Sequence, residues 1–272
     1  MPHAGLVTRM AFLPRALHLR ARARACCERL LSAGSSRREL EAAFRELEDL
    51  CTRAPQDLLE AVLCDERIRE LRPRVCRLRA AYEYDREKHW ADRISRHPEP
   101  ALALAAYPNY RGHEAIVDYE LGQIAGRQER PLQVLFVGGG PLPLTPICLA
   151  RHGGLDVTSL DREREACEIS RALIDRLPLG GRLRVLHCDA MDVTGIDGYD
   201  VVWLAMLTGD DKAAKLKIAR HMLAMMSEGQ RLVLRSASGY QQLFYVAVGA
   251  DDLDAEGVRC RMAGSIIVAQ RT

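Results

Sequence analysis

Three consecutive glycines and two prolines follow an apolar run near the middle of the chain. The glycines are Gly138, Gly139 and Gly140, and the prolines are Pro141 and Pro143. Glycine has no side chain, so a glycine turn at the end of a strand lets the backbone approach a ligand closely. Proline has no N–H group, so each proline removes a hydrogen-bond donor. The pattern predicts a ligand-binding turn that is stiff and poor in backbone donors.

An acidic residue follows the next apolar run. Asp161 ends the stretch DVTSLD, about 20 residues after Gly140, where an acid accepts hydrogen bonds from ribose hydroxyls. Capping of the following helix is an alternative role for the same carboxylate. A phosphate cradle needs backbone N–H donors, which the prolines remove. S-adenosylmethionine carries no phosphate, so the turn fits this cofactor better than a dinucleotide.

Further cofactor contacts are expected where the next helix begins and where the later strands end. Thr145 is placed to cap that helix, whose N-terminus favours a carboxylate. Asp189 and Ala190 are positioned to flank an adenine. The residues after the fourth strand are equally compatible with core packing. The predicted contacts beyond the glycines and Asp161 are Pro141, Leu142, Thr145, Arg162, Asp189, Ala190, Leu204, Ala205 and Met206.

The second half of the chain, residues 129–272, alternates short apolar runs with helical patterns. Strands separated by helices predict a parallel sheet that is covered on both faces. The last two runs, GVRCRM and GSIIVAQ, predict an antiparallel hairpin at one edge. This is the Rossmann-like layout of class I S-adenosylmethionine-dependent transferases. The predicted strands are 133–137, 156–160, 183–188, 199–205 and 231–237, and the predicted helices are 145–152, 162–177 and 211–227.

The first half, residues 1–128, is predicted to be a helical domain. Apolar residues recur at helical spacing in RRELEAAFRELEDL, and Ser35 and Ser36 can cap its start. Pro73 is expected to stop the next helix, and residues 74–97 to form another. YPNYRGH, residues 107–113, is expected to be a turn before a last helix that begins near residue 114.

Composition excludes several function classes. A net charge of +2 gives no support for a nucleic-acid partner, and no apolar run is long enough to span a bilayer. The nine cysteines are scattered without a CxxC pair, which favours reduced, mostly buried thiols over a disulfide framework or a metal site. The arginine-rich start is composed like a transit peptide, but a basic first helix is the preferred interpretation. We expect a cytoplasmic protein.

Four segments carry a resemblance to a known family. FVGGGPLPLTPICLARH, YDVVWLAMLTGDDKAAKLKIARHM, LVLRSASGYQQLFY and SIIVAQR resemble nicotianamine synthase and its bacterial relatives, which make opine-type metallophores of the staphylopine and pseudopaline kind. The match runs from about Tyr107 to the end and is fainter before it. The resemblance implies transfer of the aminobutanoyl group of S-adenosylmethionine to an amine, with release of methylthioadenosine. A stiff turn that aims the aminobutanoyl carbon at the nucleophile would favour this reaction over methyl transfer.

The implied reaction needs a base, because an amine attacks only when it is unprotonated. Glu83 and Glu87 lie four residues apart on one face of a predicted helix, although a solvated face is an equal alternative. The resemblance maps Tyr110 onto a family tyrosine that holds the substrate or relays a proton. It also maps Glu120 onto a family glutamate, for which an intrahelical salt bridge is the alternative.

The predicted substrate contacts are Tyr107, His113, Arg235 and Tyr245. Core packing is the alternative for Tyr107. The plant enzymes of this family have a tyrosine where this chain has His113, and an arginine where it has Gln241. It is therefore in doubt whether this chain uses the same substrates as the plant enzymes. The resemblance implies one condensation onto an amino acid, with histidine as the acceptor. It also implies an opine-type dehydrogenase as the next enzyme; a homodimer is one expected assembly.

Two other function classes remain at this stage. An ordinary small-molecule methyltransferase would use the same cofactor but release S-adenosylhomocysteine. A cofactor-binding module without catalysis would bind S-adenosylmethionine without turnover. The by-product distinguishes the three classes.

Overall fold

The computed structural model describes residues 4–32, 36–108, 110–124, 131–152, 155–253 and 257–271, with side chains from residue 14 onward. Ser35 lies outside these residues. The chain divides into two compact units. The helical unit contains residues 1–82 and 237–247, and the sheet unit contains residues 83–236 and 248–272.

Four helices and one short turn build the helical unit. Helix α2 begins where predicted, because the Ser36 side chain accepts a hydrogen bond from the Glu39 N–H. Its apolar stripe is buried at Phe44 and Leu47, as the helical spacing predicts. The elements are α1 (Ala4–Ser32), α2 (Arg37–Thr52), α3 (Gln56–Leu63), the first part of α4 (Glu66–Arg96) and a 3₁₀ turn at Gly239–Leu243.

The prediction that Pro73 ends a helix is wrong. Helix α4 runs through Pro73. The helical conformation is interrupted earlier, between the end of α3 and the start of α4. Asp65 sets this break, because its carboxylate accepts a hydrogen bond from the N–H of Ile68 and so caps the new helix. Arg20 and Arg24 of α1 both pair with the same carboxylate, at 2.7 and 3.1 Å. The missed signal was an aspartate three residues before the first buried position of α4.

A segment from late in the chain completes the core of the helical unit. Leu243 and Phe244 are buried among the side chains of α2 and α4. The guanidinium of Arg79 lies 4.9 Å from the ring centre of Phe44 and 5.5 Å from that of Phe244. Such cation–π contacts are stabilising. The segment after the fifth strand is therefore part of the helical unit's packing.

The sheet unit contains seven strands in the order β3-β2-β1-β4-β5-β7-β6. The first five are parallel and the last two form an antiparallel hairpin beside β5, as predicted. The strands are β1 (Leu132–Val137), β2 (Leu155–Asp161), β3 (Leu183–His187), β4 (Val201–Leu204), β5 (Arg231–Arg235), β6 (Val258–Ala263) and β7 (Ile266–Arg271).

Helices cover this sheet, and its central strands are buried on both faces. Trp203 of β4 is fully buried in the main apolar cluster. The strand order reverses between β1 and β4, which is where doubly wound sheets bind ligands. The helices are the second part of α4, α5 (Pro100–Ala105), α6 (Tyr110–Ile124), α7 (Leu144–Arg151), α8 (Arg164–Ile174) and α9 (Lys212–Met225).

The division into units differs from the predicted boundary at residue 128. The change of sequence pattern there marks a change from helices to strands. Packing divides the chain instead within α4, after Tyr82, and returns residues 237–247 to the helical unit. Helices α5 and α6 therefore pack with the sheet. The predicted turn at 107–113 is also shorter, since α6 already begins at Tyr110.

The cysteines are all free thiols, and five of the nine are buried. Burial raises the pKa of Cys27 and of Cys51 to about 12, so both stay protonated. None of the described helices is both long and apolar enough to cross a membrane. Within the described residues, no group of His, Cys, Asp and Glu side chains could hold a metal ion.

Candidate active site

The glycine turn after β1 needs glycine for both conformation and space. Gly138 and Gly140 have φ angles of 88° and 68°, which side-chain-bearing residues rarely adopt. A Cβ atom on Gly139 would collide with the Ser159 hydroxyl. The N–H groups of Gly138 and Gly139 both point at the carbonyl of Leu160. The turn is therefore locked against the end of β2.

The prolines shape the entry to α7 without a side-chain cap. Pro143 occupies the N-cap position, and the predicted cap by Thr145 is absent from the described contacts. The Thr145 side chain instead faces β5 and α6, where its hydroxyl oxygen accepts a hydrogen bond from Arg235 at 2.8 Å. The prediction for Thr145 was right about its place in the first turn and wrong about its partner.

A pocket of about 120 Å³ lies at the carboxyl ends of the first four strands. Five predicted cofactor residues line it: Gly138, Asp161, Arg162, Asp189 and Ala190. Beyond β4 the lining residues are Leu207, Thr208 and Gly209 rather than the predicted Leu204, Ala205 and Met206. The pocket combines carboxylates with an apolar wall, as a nucleoside requires.

Asp161 joins the glycine turn to the start of α8. One of its oxygens accepts a hydrogen bond from the N–H of Gly140 at 2.8 Å, and the other accepts from Glu163 at 2.9 Å. The alternative role as a cap is wrong, because Glu163 is the N-cap of α8 and Asp161 binds the N–H of that residue, just ahead of the helix. A carboxylate has about four acceptor sites, so two remain for hydroxyl groups in the pocket.

Two carboxylates of α4 lie beside the glycine turn. Glu83 is buried and pairs with Arg86 at 2.6 Å. Glu87 contacts Gly140 so closely that a Cβ atom there would collide with its carboxylate, and it accepts a hydrogen bond from the N–H of Leu142. The glycine turn therefore holds the Glu87 carboxylate in place. The structure does not show the alternative, in which Glu83 and Glu87 form a solvated face of the helix.

The pKa of Glu87 is raised to about 8. Loss of hydration is the largest cause, and the nearby charge of Glu83 adds to it. Arg86 and the Leu142 N–H act in the opposite direction but do not cancel these effects. A carboxyl group with this pKa can exchange a proton near neutral pH, which is the property of a general base.

The two tyrosines of YPNY occupy different places. Tyr107 is buried, with Arg86 above its ring at 5.7 Å, so it is both a core residue and a neighbour of the carboxylates. The Tyr110 hydroxyl accepts a hydrogen bond from Arg151 at 2.6 Å, and burial raises its pKa. Arg151 ends α7, roughly 10 Å along the helix from the glycine turn. The structure thus places Tyr107 against Arg86, the partner of Glu83, and Tyr110 against Arg151.

A buried network connects α6, α7 and β5. Arg235 binds both carboxylate oxygens of Glu120, at 2.9 and 2.7 Å, and also Thr145. The same Thr145 hydroxyl also hydrogen-bonds Nε2 of His113, 2.8 Å away. The imidazole is neutral at pH 7. Burial, Arg235 and Arg86 lower the pKa of His113 to about 4, in agreement with this state.

Tyr245 belongs to the helical unit. Its hydroxyl accepts a hydrogen bond from Nε of Arg79 at 3.0 Å, and its ring lies 5.6 Å from the guanidinium. These contacts give Tyr245 a structural role in the described residues. Its predicted substrate contact stays a prediction.

Comparison with known proteins decides the family. Residues 25–265 match the family profile described as "Nicotianamine synthase protein". This chain belongs to the nicotianamine synthase family. The pattern of glycines and prolines after β1 therefore led to the correct family.

Plant enzymes of the nicotianamine synthase family are similar in sequence. Nicotianamine synthase 9 of Hordeum vulgare is 31% identical over 229 residues, which cover 80% of this chain and 66% of that enzyme. Nicotianamine synthase 2 of Oryza sativa subsp. japonica is 31% identical over 226 residues, or 80% of this chain and 69% of that enzyme. The chain spans about two thirds of the length of these relatives.

A solved nicotianamine synthase has the same fold. MtNAS in complex with MTA and tNA superposes with a TM-score of 0.80 at 20% identity, covering 93% of this chain and 97% of MtNAS. A mutant of MtNAS in complex with S-adenosylmethionine gives a TM-score of 0.78 at 21% identity, with the same coverage. The predicted helical part and Rossmann-like sheet with its terminal hairpin are confirmed.

Several residues of this nicotianamine synthase family site were missed from sequence. Arg86 was passed over, although it lies three residues after Glu83 and can pair with it on a helix. The loop after β4 was placed a few residues too early, although its glycine in LTGDD marked the turn. The lining residues that were not predicted are Val137, Leu160, Leu207, Thr208, Gly209 and Ile218.

Proposed function

We propose that this chain transfers the 2-aminobutanoyl group of S-adenosylmethionine to the amine of an amino acid. A C–N bond forms at the carbon attached to sulfur, and the C–S bond breaks with its electron pair going to sulfur. The sulfonium becomes the neutral thioether methylthioadenosine. The attacking nitrogen gives up one proton.

Glu87 carries this proposal. Its carboxyl group lies against the turn that follows β1 and has a pKa of about 8, so it can take the proton at near-neutral pH. We infer that Glu87 is the base and that Glu83 raises its basicity. A base held against this turn is positioned for a nucleophile that attacks near the amino-acid tail. Ordinary methyl transfer does not need a base at this point.

The pocket supports S-adenosylmethionine as the donor. Asp161 keeps acceptor sites for the ribose hydroxyls, and Ala190, Leu207 and Ile218 offer an apolar surface for adenine. The two prolines leave the turn short of the donors that a phosphate needs. Family membership and the solved complex of MtNAS with S-adenosylmethionine agree with this assignment.

The acceptor side is rich in groups that bind a carboxylate. His113 is neutral, and the cationic Arg86 lies near enough to lower the pKa of its imidazole. A carboxylate bound by these groups would place its amine close to Glu83 and Glu87. We propose histidine as the acceptor, following the resemblance to bacterial metallophore enzymes. Tyr107 and Arg235 complete the proposed substrate contacts of the sheet unit.

The proposed product is an intermediate with a new secondary amine. An opine-type dehydrogenase, which joins an amine to a 2-oxo acid, is the class of enzyme that would consume it. The pathway would yield an opine-type metallophore. This step and the cytoplasmic location follow from the resemblance and belong to the proposal.

Mass spectrometry of the products tests the proposal directly. The purified chain is incubated with S-adenosylmethionine and, separately, with L-histidine, D-histidine, L-glutamate or no acceptor. We expect methylthioadenosine together with an acceptor that is heavier by one aminobutanoyl unit. The Glu87→Gln variant is expected to bind the donor and to form little product.

Other product patterns would contradict parts of the proposal. S-adenosylhomocysteine with a methylated acceptor would show a methyltransferase. Oligomers of aminobutanoyl units formed without an added acceptor would show the plant-type reaction in place of histidine transfer. Donor binding without any product, under every acceptor, would favour a binding module.

A further inference from the structure

One fully buried lysine lies directly behind the pocket. Lys215 of α9 has no exposed surface, and its Nζ donates hydrogen bonds to the carbonyls of Ala205 at 3.2 Å and Met206 at 2.6 Å. Lysine is almost never buried without an acidic partner. Among the described ion pairs no carboxylate belongs to Lys215, and the charged group that acts on it is the like-charged Arg235. A fold keeps such a group only where its contacts matter.

The carbonyls that Lys215 binds begin the loop that forms one wall of the pocket. Leu207, Thr208 and Gly209 of this loop line the pocket. The Ala205 carbonyl accepts hydrogen bonds from both Lys215 and the Thr208 N–H, so it is the point where the loop is fastened. The lysine therefore holds the start of the loop.

The other end of the loop rests on the same residue. Gly209 has a φ of 81°, and a Cβ atom there would collide with the backbone of Lys215. Between these ends, the Thr208 hydroxyl donates to the carbonyl of Val137, next to the glycine turn. The loop is thus held in place by Lys215 at its two ends and by Val137 of β1 at Thr208.

We infer that Lys215 is a positioning residue for the nucleoside half of the ligand. It turns two carbonyls away from the pocket and so sets the place of Leu207, Thr208 and Gly209. The identity of the ligand, S-adenosylmethionine, rests on the proposed function. The inference adds that affinity for the adenosine part depends on a side chain that does not touch it.

Calorimetry on three variants tests this role. Lys215→Met fills similar space without donors, Lys215→Arg keeps donors, and Lys217→Met is the matched control on the exposed side of α9. Affinity is measured for S-adenosylmethionine and for methylthioadenosine. We expect Lys215→Met to weaken both about tenfold, because two hydrogen bonds to the loop are lost. Lys215→Arg should recover at least half of this loss on a logarithmic scale, and Lys217→Met should match the wild type.

Melting temperature and steady-state kinetics separate positioning from general stability. A positioning role predicts a higher KM for S-adenosylmethionine with an unchanged KM for the amino-acid acceptor. A Lys215→Met chain that melts lower but binds both ligands with wild-type affinity would overturn the inference. Equal weakening in Lys215→Met and Lys215→Arg would also overturn it, because the donors would then not matter.

The proposed function and the inference can fail separately. A wild-type chain that does not bind S-adenosylmethionine would contradict both. If the wild type binds S-adenosylmethionine and Lys215→Met binds it with the same affinity, only the inference is overturned. If Lys215→Met does not fold, the comparison of Lys215→Arg with Lys215→Gln decides, since the shorter glutamine cannot reach both carbonyls and should weaken binding more.

Discussion

At the scale of single residues, the proposed chemistry depends on one carboxyl group with an unusual proton affinity. Glu87 combines three features: contact with the glycine turn, partial burial, and a charged neighbour in Glu83. Sequence spacing identified the pair but could not tell which of the two has the raised pKa. Only the packing of α4 against the turn made that distinction.

The pH dependence of turnover should show this group. The active form is the carboxylate, so kcat/KM for the acceptor is expected to rise as pH increases and to level off above about 8. Glu87→Gln should lower kcat by roughly a hundredfold or more and remove the limb that titrates near 8. An unchanged limb in Glu87→Gln would assign the ionisation to another group, such as the acceptor amine.

Asp161 should govern donor affinity. Asp161→Ala removes the acceptors for ribose hydroxyls and the bond to Gly140, so the affinity for S-adenosylmethionine should fall roughly a hundredfold. Titration calorimetry measures this change. Asp92→Ala is the matched control, because Asp92 is exposed and pairs with Arg96, which does not line the pocket. Near-normal binding by Asp161→Ala would contradict the role.

At the scale of elements, a buried ion pair joins α6 to β5. The Glu120 and Arg235 side chains are 2% and 10% exposed. Glu120→Ala leaves the guanidinium buried with only Thr145, so unfolding free energy should fall by about 3–5 kcal/mol. Denaturant titration measures this. Asp92→Ala breaks an exposed pair with Arg96 and should change stability by less than about 0.5 kcal/mol. Similar losses in both variants would contradict the argument.

Helix α9 should make stability depend on pH through Lys215. Burial lowers its pKa from 10.5 to about 7, so the folded chain disfavours the charged form. The unfolded chain then binds more protons between pH 7 and 10.5, and stability from this group increases with pH across that window. The slope is at most about 1.4 kcal/mol per pH unit. The Lys215→Met variant should lack this component, which is seen as a difference between the two stability curves.

At the scale of the whole molecule, the chain passes from the sheet unit to the helical unit and back after β5. Residues 237–247 place Leu243 and Phe244 in the helical core. Phe244→Ala should therefore destabilise the helical unit by about 3–5 kcal/mol, although its sequence position is inside the Rossmann-like half. Hydrogen exchange of α2 and α3 is the direct measurement. Faster exchange confined to the sheet unit would contradict this packing.

The elements themselves were predictable because their physical causes are local. Short apolar runs and helical patterns placed the strands and most helices within a few residues, and Ser36 capped α2 as expected. The errors arose where a group distant in sequence determined the start of a helix or the partner of a side chain. Asp65 began α4 ahead of Pro73 because the Arg20 and Arg24 side chains made its burial tolerable. Thr145 was drawn from a capping role to Arg235, which is 90 residues away in sequence.

The sequence by itself determined the family, the fold class and the strand that carries the ligand turn, because glycine and proline act through their own backbones. It also determined that Glu83 and Glu87 lie on the same face of one helix. The tertiary structure alone decided which carboxyl group has the raised pKa, which tyrosine packs against Arg86, and which lysine lies behind the pocket. Those properties depend on loss of hydration and on charges brought close by folding. Neither can be predicted from the spacing of residues in the sequence.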